Sequence, residues 1–271
     1  FTKSTQFSCS SHFISISNFM KFQAQIVEDP SIPKSENSIR IVCFSDSHGF
    51  HKELDVNSFF PADLLIFAGD LTMFGNPSEV QSFKDWFESI NCPNKLLIPG
   101  NLDLTFDTNN LERFKSRILD NVDTNVKLET VKPTFLNDAK FIYAEHSTVE
   151  ILGLKIFASP YTPEFMDFAF QYRGAQDAKK IWSQIPSDID ILVTHGPPKG
   201  TCDQTQSGFH AGCDELCRRI QSIQPSLSVF GHIHEGHGHG KIGETLCCNV
   251  ALVNPNRQIV HKPTYIDLIP A

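Results

Sequence analysis

Ser38-Ile-Arg-Ile-Val-Cys-Phe-Ser-Asp-Ser-His-Gly49 is an apolar run that stops abruptly in a carboxylate and an imidazole. The run is too short for a helix and rich in β-branched residues, so it predicts a strand whose C-terminal end carries Asp46 and His48. The same unit recurs along the chain. Asp63-Leu-Leu-Ile-Phe-Ala68 is followed by Gly69-Asp70, and Lys95-Leu-Leu-Ile-Pro99 by Gly100-Asn101. Further on, Asp190-Ile-Leu-Val-Thr194 runs into His195, and the strand predicted over 227–230 runs into Gly231-His232-Ile-His234. Between them the spacing predicts helices. Val80, Phe83, Trp86, Phe87 and Ile90 fall three and four apart over 77–90, after Pro77 and Ser78, which suit a helix start. Other helices are expected near 109–119, 176–184 and 212–223, and other strands at 140–143, 148–152, 154–158, 245–250 and 258–261. Alternating strands and helices make a layered α/β fold.

Five strand ends therefore carry seven potential ligands: Asp46, His48, Asp70, Asn101, His195, His232 and His234. Loops after the carboxyl ends of strands in an open α/β sheet converge on one crevice. Three carboxylate or amide oxygens and four imidazoles suit Mn, Fe, Zn or Co better than an all-oxygen Ca or Mg cage. One ion takes four to six donors, so seven, with one carboxylate able to bridge, predict two divalent transition ions. His237 and His239, in the following Glu-Gly-His-Gly-His-Gly, read as solvated loop residues. A Pro- and Gly-interrupted aromatic stretch over 160–174 offers Tyr161 and Arg173 as substrate contacts, and His210 lies in a Gly- and Ser-rich loop after His195.

The chain has 271 residues, 31 acidic and 23 basic, for a net charge of −8. This length supports a full core without covalent staples. Acidity argues against binding an extended nucleic acid, which requires clustered Lys and Arg, and no apolar run approaches a membrane span. The eight cysteines form no CxxC pair and are expected reduced, which points to the cytoplasm. Residues 1–36, rich in Ser and Phe, read as a peripheral arm, with a processed targeting remnant as the alternative. Residues 37–271 read as a single domain.

The set Asp46-Ser-His48, Gly69-Asp70, Gly100-Asn101-Leu-Asp103, Thr194-His195-Gly-Pro-Pro198 and Gly231-His232-Ile-His234 resembles the calcineurin-like metallophosphoesterase superfamily. Ser159-Pro-Tyr-Thr-Pro163, Phe170 and Arg173-Gly174 narrow the resemblance to the small metallophosphoesterase-domain-containing phosphodiesterases, over about 39–261. It implies a four-layer α/β/β/α sandwich and hydrolysis of phosphodiesters, cyclic nucleotides or aryl esters, by water activated between the ions. It also implies a ligand set: Asp46, His48 and His234 on the first ion, Asp70 bridging, and Asn101, His195 and His232 on the second. Catalysis would rest on Asp70 and Asn101, with Asp103 positioning a ligand, and substrate contacts would come from Asn101, Tyr161, Arg173 and His210. One departure stands out. The residue after Gly-Asn is usually a His that serves the leaving oxygen, and here it is Leu102. Either another histidine such as His51 or His210 takes that role, or the chain is a weakly active metal- or nucleotide-binding regulator.

Overall fold

The structure, a computed structural model, describes residues 22–119 and 126–271. In chain order the elements are β1 (Phe22–Ile26), β2 (Ile39–Phe44), β3 (Leu64–Ala68), α1 (Pro77–Ser89), β4 (Asn94–Ile98), α2 (Leu111–Leu119), α3 (Val131–Leu136), β5 (Ile142–Tyr143), β6 (Ser147–Ile151) and β7 (Leu154–Ser159). They continue as β8 (Thr162–Pro163), β9 (Gln171–Tyr172), α4 (Gly174–Trp182), β10 (Ile191–Thr194), α5 (Asp214–Ile223), β11 (Leu227–Phe230), β12 (Gly238–Ile242), β13 (Thr245–Asn249) and β14 (Thr264–Pro270).

Two six-stranded sheets result, ordered β1-β14-β2-β3-β4-β5 and β12-β13-β11-β10-β7-β6. Strands β2 to β5 run parallel, as do β7, β10, β11 and β13, while β1, β14, β6 and β12 pair antiparallel with their neighbours. The alternation of side chains along each strand sorts the core into three layers. Ile41 and Cys43 of β2, Leu64 and Ile66 of β3, Ile191 and Val193 of β10, and Leu227 and Val229 of β11 fill the space between the sheets. Val42, Phe44, Leu65 and Phe67 face outward onto Val80, Phe83 and Phe87 of α1 and onto α2 and α3. Leu192 and Phe230 face the other way, onto Trp182 of α4 and Leu216 and Ile220 of α5. Helix, sheet, sheet, helix is the expected four-layer sandwich, and burial of both faces explains why the strands read as continuous apolar runs.

The chain end differs from expectation. The stretch 258–261 forms no strand; Ile259 makes only a bridge to Val253. The closing strand is β14, whose Ile266 and Leu268 point between the sheets. Its alternation is bracketed by Pro263 and Pro270, residues that read as strand breakers. The strand expected at 140–143 shrinks to Ile142–Tyr143, and helix α5 starts at Asp214, where the Cys213 Sγ caps it, accepting from Leu216 N at 3.4 Å. Within the span 1–36, Phe22–Ile26 is a strand on the sheet edge, antiparallel to β14; residues 1–21 lie outside the described residues.

The outer aromatic layer is centred on Phe83. Its fully buried ring meets Phe67 at 4.8 Å, Phe87 at 5.4 Å and Trp86 at 5.6 Å between centroids. Phe83→Ala should cost about 3–5 kcal/mol in urea unfolding, the usual range for deleting a buried aromatic. A loss under ~1 kcal/mol would show that this layer does not hold α1 to its sheet.

Candidate metal centre

The strand ends bring the polar turns together at one edge of both sheets. Asp46 N donates to Gly69 O at 2.9 Å and His48 N to Asp70 O at 3.1 Å, so the turns after β2 and β3 are laced to each other. Gly231 N donates to His195 O at 2.9 Å, lacing the turns after β10 and β11. The chain leaving β13 joins the sheets: Ser45 N donates to Val250 O at 3.1 Å and Leu252 N to Ser45 O at 3.1 Å. Asp46, His48, Asp70 and His232 all sit at positive φ, between 45° and 69°. This left-handed backbone is uncommon for side-chain-bearing residues, and such strain concentrates at functional sites.

Two clusters of ligand atoms form there. Asp46, His48 and His234 make one, and Asp70, His195 and His232 the other, each with its ligand atoms within 4.8 Å of one another. Asn101 joins the second, its Oδ1 lying 2.8 Å from His195 Nε2. Asp70 looks both ways. Its Oδ1 is 3.4 Å from His195 Nε2 and its Oδ2 is 4.0 Å from His48 Nε2.

The donor set fits cations at both places for a specific reason. His195 Nδ1 donates to Ala68 O at 2.9 Å, which leaves a lone pair on Nε2, yet that nitrogen faces the Asn101 oxygen, another acceptor. In the first cluster His48 Nε2 and His234 Nε2 meet at 3.0 Å. At His195 a cation, either a proton or a metal ion, resolves this meeting of acceptors; at His48 and His234 the two nitrogens converge with Asp46 as one group of ligand atoms. Electrostatics agree. Burial opposes charge on every group, and at His48 and His232 it prevails, pushing both imidazoles down to about 4. At His195 burial is overcome by the Asp70 carboxylate, and the imidazole rises to about 9. His234 is also raised, burial being outweighed by its bond to Asp46. Burial likewise opposes ionisation of Asp46 and Asp70, but the neighbouring imidazoles, His234 for the first and His195 for the second, hold both below the usual range. Mixed nitrogen and oxygen donors suit borderline transition ions.

Neighbouring groups fix these ligands. Asp46 accepts from Ser45 Oγ and from His232 N at 3.0 Å, and Asp70 Oδ1 accepts from Leu102 N at 2.8 Å. Asp103, fully buried, accepts from Leu71 N, Thr72 N, Thr72 Oγ1 and Gly100 N, clamping the turns after β3 and β4. Burial, then the charge of Asp70, pushes its carboxyl up to about 7. Sequence reasoning missed Ser45 and Thr72, small hydroxyls with no motif signal.

None of the remaining expected contacts supplies an atom to either cluster. Tyr161 is half-buried two residues past β7, its ring on His146 at 5.1 Å. Arg173 is exposed and its Nε donates to Glu164 at 2.7 Å. His51 is buried among Phe83 and Trp86 with Nε2 on Ser82 Oγ at 3.0 Å, so it does not face the crevice. His237 stacks on His261 at 3.8 Å, and His210 bonds to Asp203 at 2.7 Å.

Fold and site together define a metallophosphoesterase architecture. A profile of the calcineurin-like phosphoesterase family matches residues 39–236, and the chain belongs to that family of hydrolases. Within it, the chain groups with the metallophosphoesterase-domain-containing proteins. It is 37% identical to metallophosphoesterase domain-containing protein 1 of Homo sapiens over 243 residues, 87% of this chain and 73% of that protein. It is 31% identical over 247 residues to a UPF0046 protein of Caenorhabditis elegans, covering 87% of this chain and 61% of that protein. One solved structure superposes with a TM-score of 0.54 at 14% identity, over 78% of this chain and 90% of the other, a likeness of fold.

Gly100 tests the tightness of the crevice. A Cβ there would overlap the Asp70 Oδ1 and backbone N and crowd His195 Cε1 at 2.7 Å. Gly100→Ala should therefore cost about 1–3 kcal/mol from overpacking and weaken divalent-ion binding at least ~10-fold, although no ligand atom is removed. Metal titration of the refolded variant checks this; parent-like affinity would mean the turns move apart freely.

Proposed function

We propose that the chain hydrolyses phosphoesters, diesters above all, with two divalent transition ions held in the paired clusters. Asp46, His48 and His234 would hold one ion, Asn101, His195 and His232 the other, with Asp70 shared between them. Two clusters of buried carboxylate and imidazole ligand atoms in one crevice, with Asp70 facing both, carry this reading. When bound, such ions polarise phosphoryl oxygens and make water a nucleophile at neutral pH.

The protein's own groups do the rest. Asn101 Oδ1 is committed to the His195 side, so its amide N–H is left to donate to a phosphoryl oxygen and orient the ester for in-line attack. Leu102 N is spent on Asp70. Neither cysteine nor serine chemistry is needed, so no covalent intermediate is expected. Tyr161 is proposed to meet the organic part of a nucleotide or aryl substrate, whereas Arg173 would first have to leave Glu164. Free thiols at all seven described cysteines support our placing the protein in a reducing compartment such as the cytoplasm. Among the described residues, no helix is long and apolar enough to cross a membrane.

Leu102 favours a second reading, a metal- and nucleotide-binding regulator with little turnover. One experiment separates the two. Protein loaded with Mn or Zn should bind two ions and hydrolyse bis(4-nitrophenyl) phosphate, and removing the ions with a chelator should abolish turnover. Two bound ions without hydrolysis would favour the regulator. Asp70→Ala should lose more metal than Asp46→Ala, since its two oxygens face both clusters. Equal retention of two ions in both variants would overturn the shared role of Asp70.

A further inference from the structure

We propose that His210, set by Asp203, is the proton donor to the leaving oxygen, filling the role that Leu102 cannot. This rests on the hydrolytic reading above. Residues 196–213 form one long loop from β10 to α5. Inside it Asp203 is buried, with 1% of its surface exposed. Its Oδ2 accepts from Gly200 N and Gly212 N, both at 3.0 Å, and its Oδ1 takes His210 Nδ1 at 2.7 Å. A carboxylate held among donors fixes the tautomer of its histidine: Nδ1 carries the hydrogen and Nε2 is left to gain or lose one. The His210 side chain is 47% exposed, and among the described residues its Nε2 has no hydrogen-bond partner. A carboxylate-oriented imidazole with a free outer nitrogen is the usual form of a general acid–base.

The loop also places this pair beside the centre. It starts at His195 itself. Gln204 bridges to His210 and Thr205 N donates to Phe209 O at 2.9 Å, making a small hairpin. At its tip Gln206 N donates to Glu235 Oε1 at 3.2 Å, next to His234. At its base Cys202 O accepts from Asn249 Nδ2 at 3.0 Å, and the same amide holds Ile233 O at 2.8 Å, between His232 and His234. The hairpin that carries His210 is thus fastened to the turn that carries two candidate ligands. Of the other histidines outside the ligand set near these turns, His51 is buried against α1 and His237 is stacked on His261.

In the step proposed, the water oxygen forms a bond to phosphorus and releases a proton to solvent as the bond from phosphorus to the ester oxygen breaks. The electron pair of the broken bond stays on the ester oxygen, which takes the proton from His210 Nε2 and departs as an alcohol. His210 is then neutral and recovers a proton from solvent. Aryl oxides of low basicity leave without that proton, while alkoxides require it.

The experiment compares the parent with His210→Asn, whose amide keeps an N–H toward Asp203 but carries no transferable proton. Metal content is matched, and the esters range from 4-nitrophenyl through phenyl to alkyl and cyclic phosphodiesters. The variant should lose about 10²–10⁴-fold on alkyl and cyclic esters and only a few-fold on 4-nitrophenyl esters. Independently of turnover, imidazole ¹H–¹⁵N spectra of the parent should show His210 protonated at Nδ1, with signals that move when inorganic phosphate is added. Equal rate changes across the series, unchanged rates, or a His210 signal indifferent to phosphate would overturn the assignment. A parent inert toward every ester would overturn the hydrolytic reading and this inference together, whereas an active parent sharing its leaving-group dependence with the variant overturns this inference alone.

Discussion

The Asp70 carboxylate is the point on which the crevice depends. One oxygen takes Leu102 N from the turn after β4 and faces His195 from the second sheet, and the other faces His48 from the turn after β2. Asp70 and Asp46 are both essentially buried, at 2% and 0% exposure. Carboxylates removed from water persist as anions only where donors or cations compensate them, since the uncompensated cost is several kcal/mol per ion. Here the compensation comes from imidazoles, and one of them, His195, turns its Nε2 onto the Asn101 oxygen. The fold therefore builds a place that is most stable when positive charge enters it.

This explains why the sandwich is rigid around an unfavourable edge. Four ligand residues hold left-handed backbone, at a cost on the order of 1–3 kcal/mol each. What holds them is the packing behind: continuous apolar strands buried on both faces, with Phe44 and Phe67 on one side and the intersheet layer on the other. Asp103 adds a second restraint by tying the backbone of Leu71, Thr72 and Gly100 to one carboxylate. Stability is generated in the layers and spent at the edge.

Much of this was legible in the residues. Strands buried on both faces leave uninterrupted apolar runs, and a run ending in Asp, Asn or His reports a side chain at a sheet's carboxyl edge, so the layering and the seven candidate ligands could be read directly. What stayed hidden depends on tertiary contact. Phe22–Ile26 gains its strand only by pairing with β14, and β14 is disguised by flanking prolines. Arg173 looks like a substrate clamp in a motif but sits in an ion pair with Glu164 on the surface. His51 and His210 are equivalent by composition, and only packing separates them: one ring lies against Phe83 and Trp86, the other projects from a hairpin. Spacing along a chain identifies what ends a strand, not which way a loop residue turns.

Leu102 shows how loosely a metal centre and its acid are coupled. The Leu102 backbone N–H is what Asp70 requires, and any residue supplies it. The side chain is buried, 4% exposed, so it stabilises the turn by apolar contact where a histidine would have to be solvated or paired. A change at this position therefore leaves the ligand geometry intact while removing one proton donor. The loop from His195 to α5 is under no such constraint from the metal ligands, beyond its fastening at Glu235 and Asn249. It can carry an acid of its own without disturbing the clusters. In this architecture the positions that hold charge at the strand ends are fixed by both sheets at once, whereas the position that handles the leaving group belongs to whichever loop overhangs them.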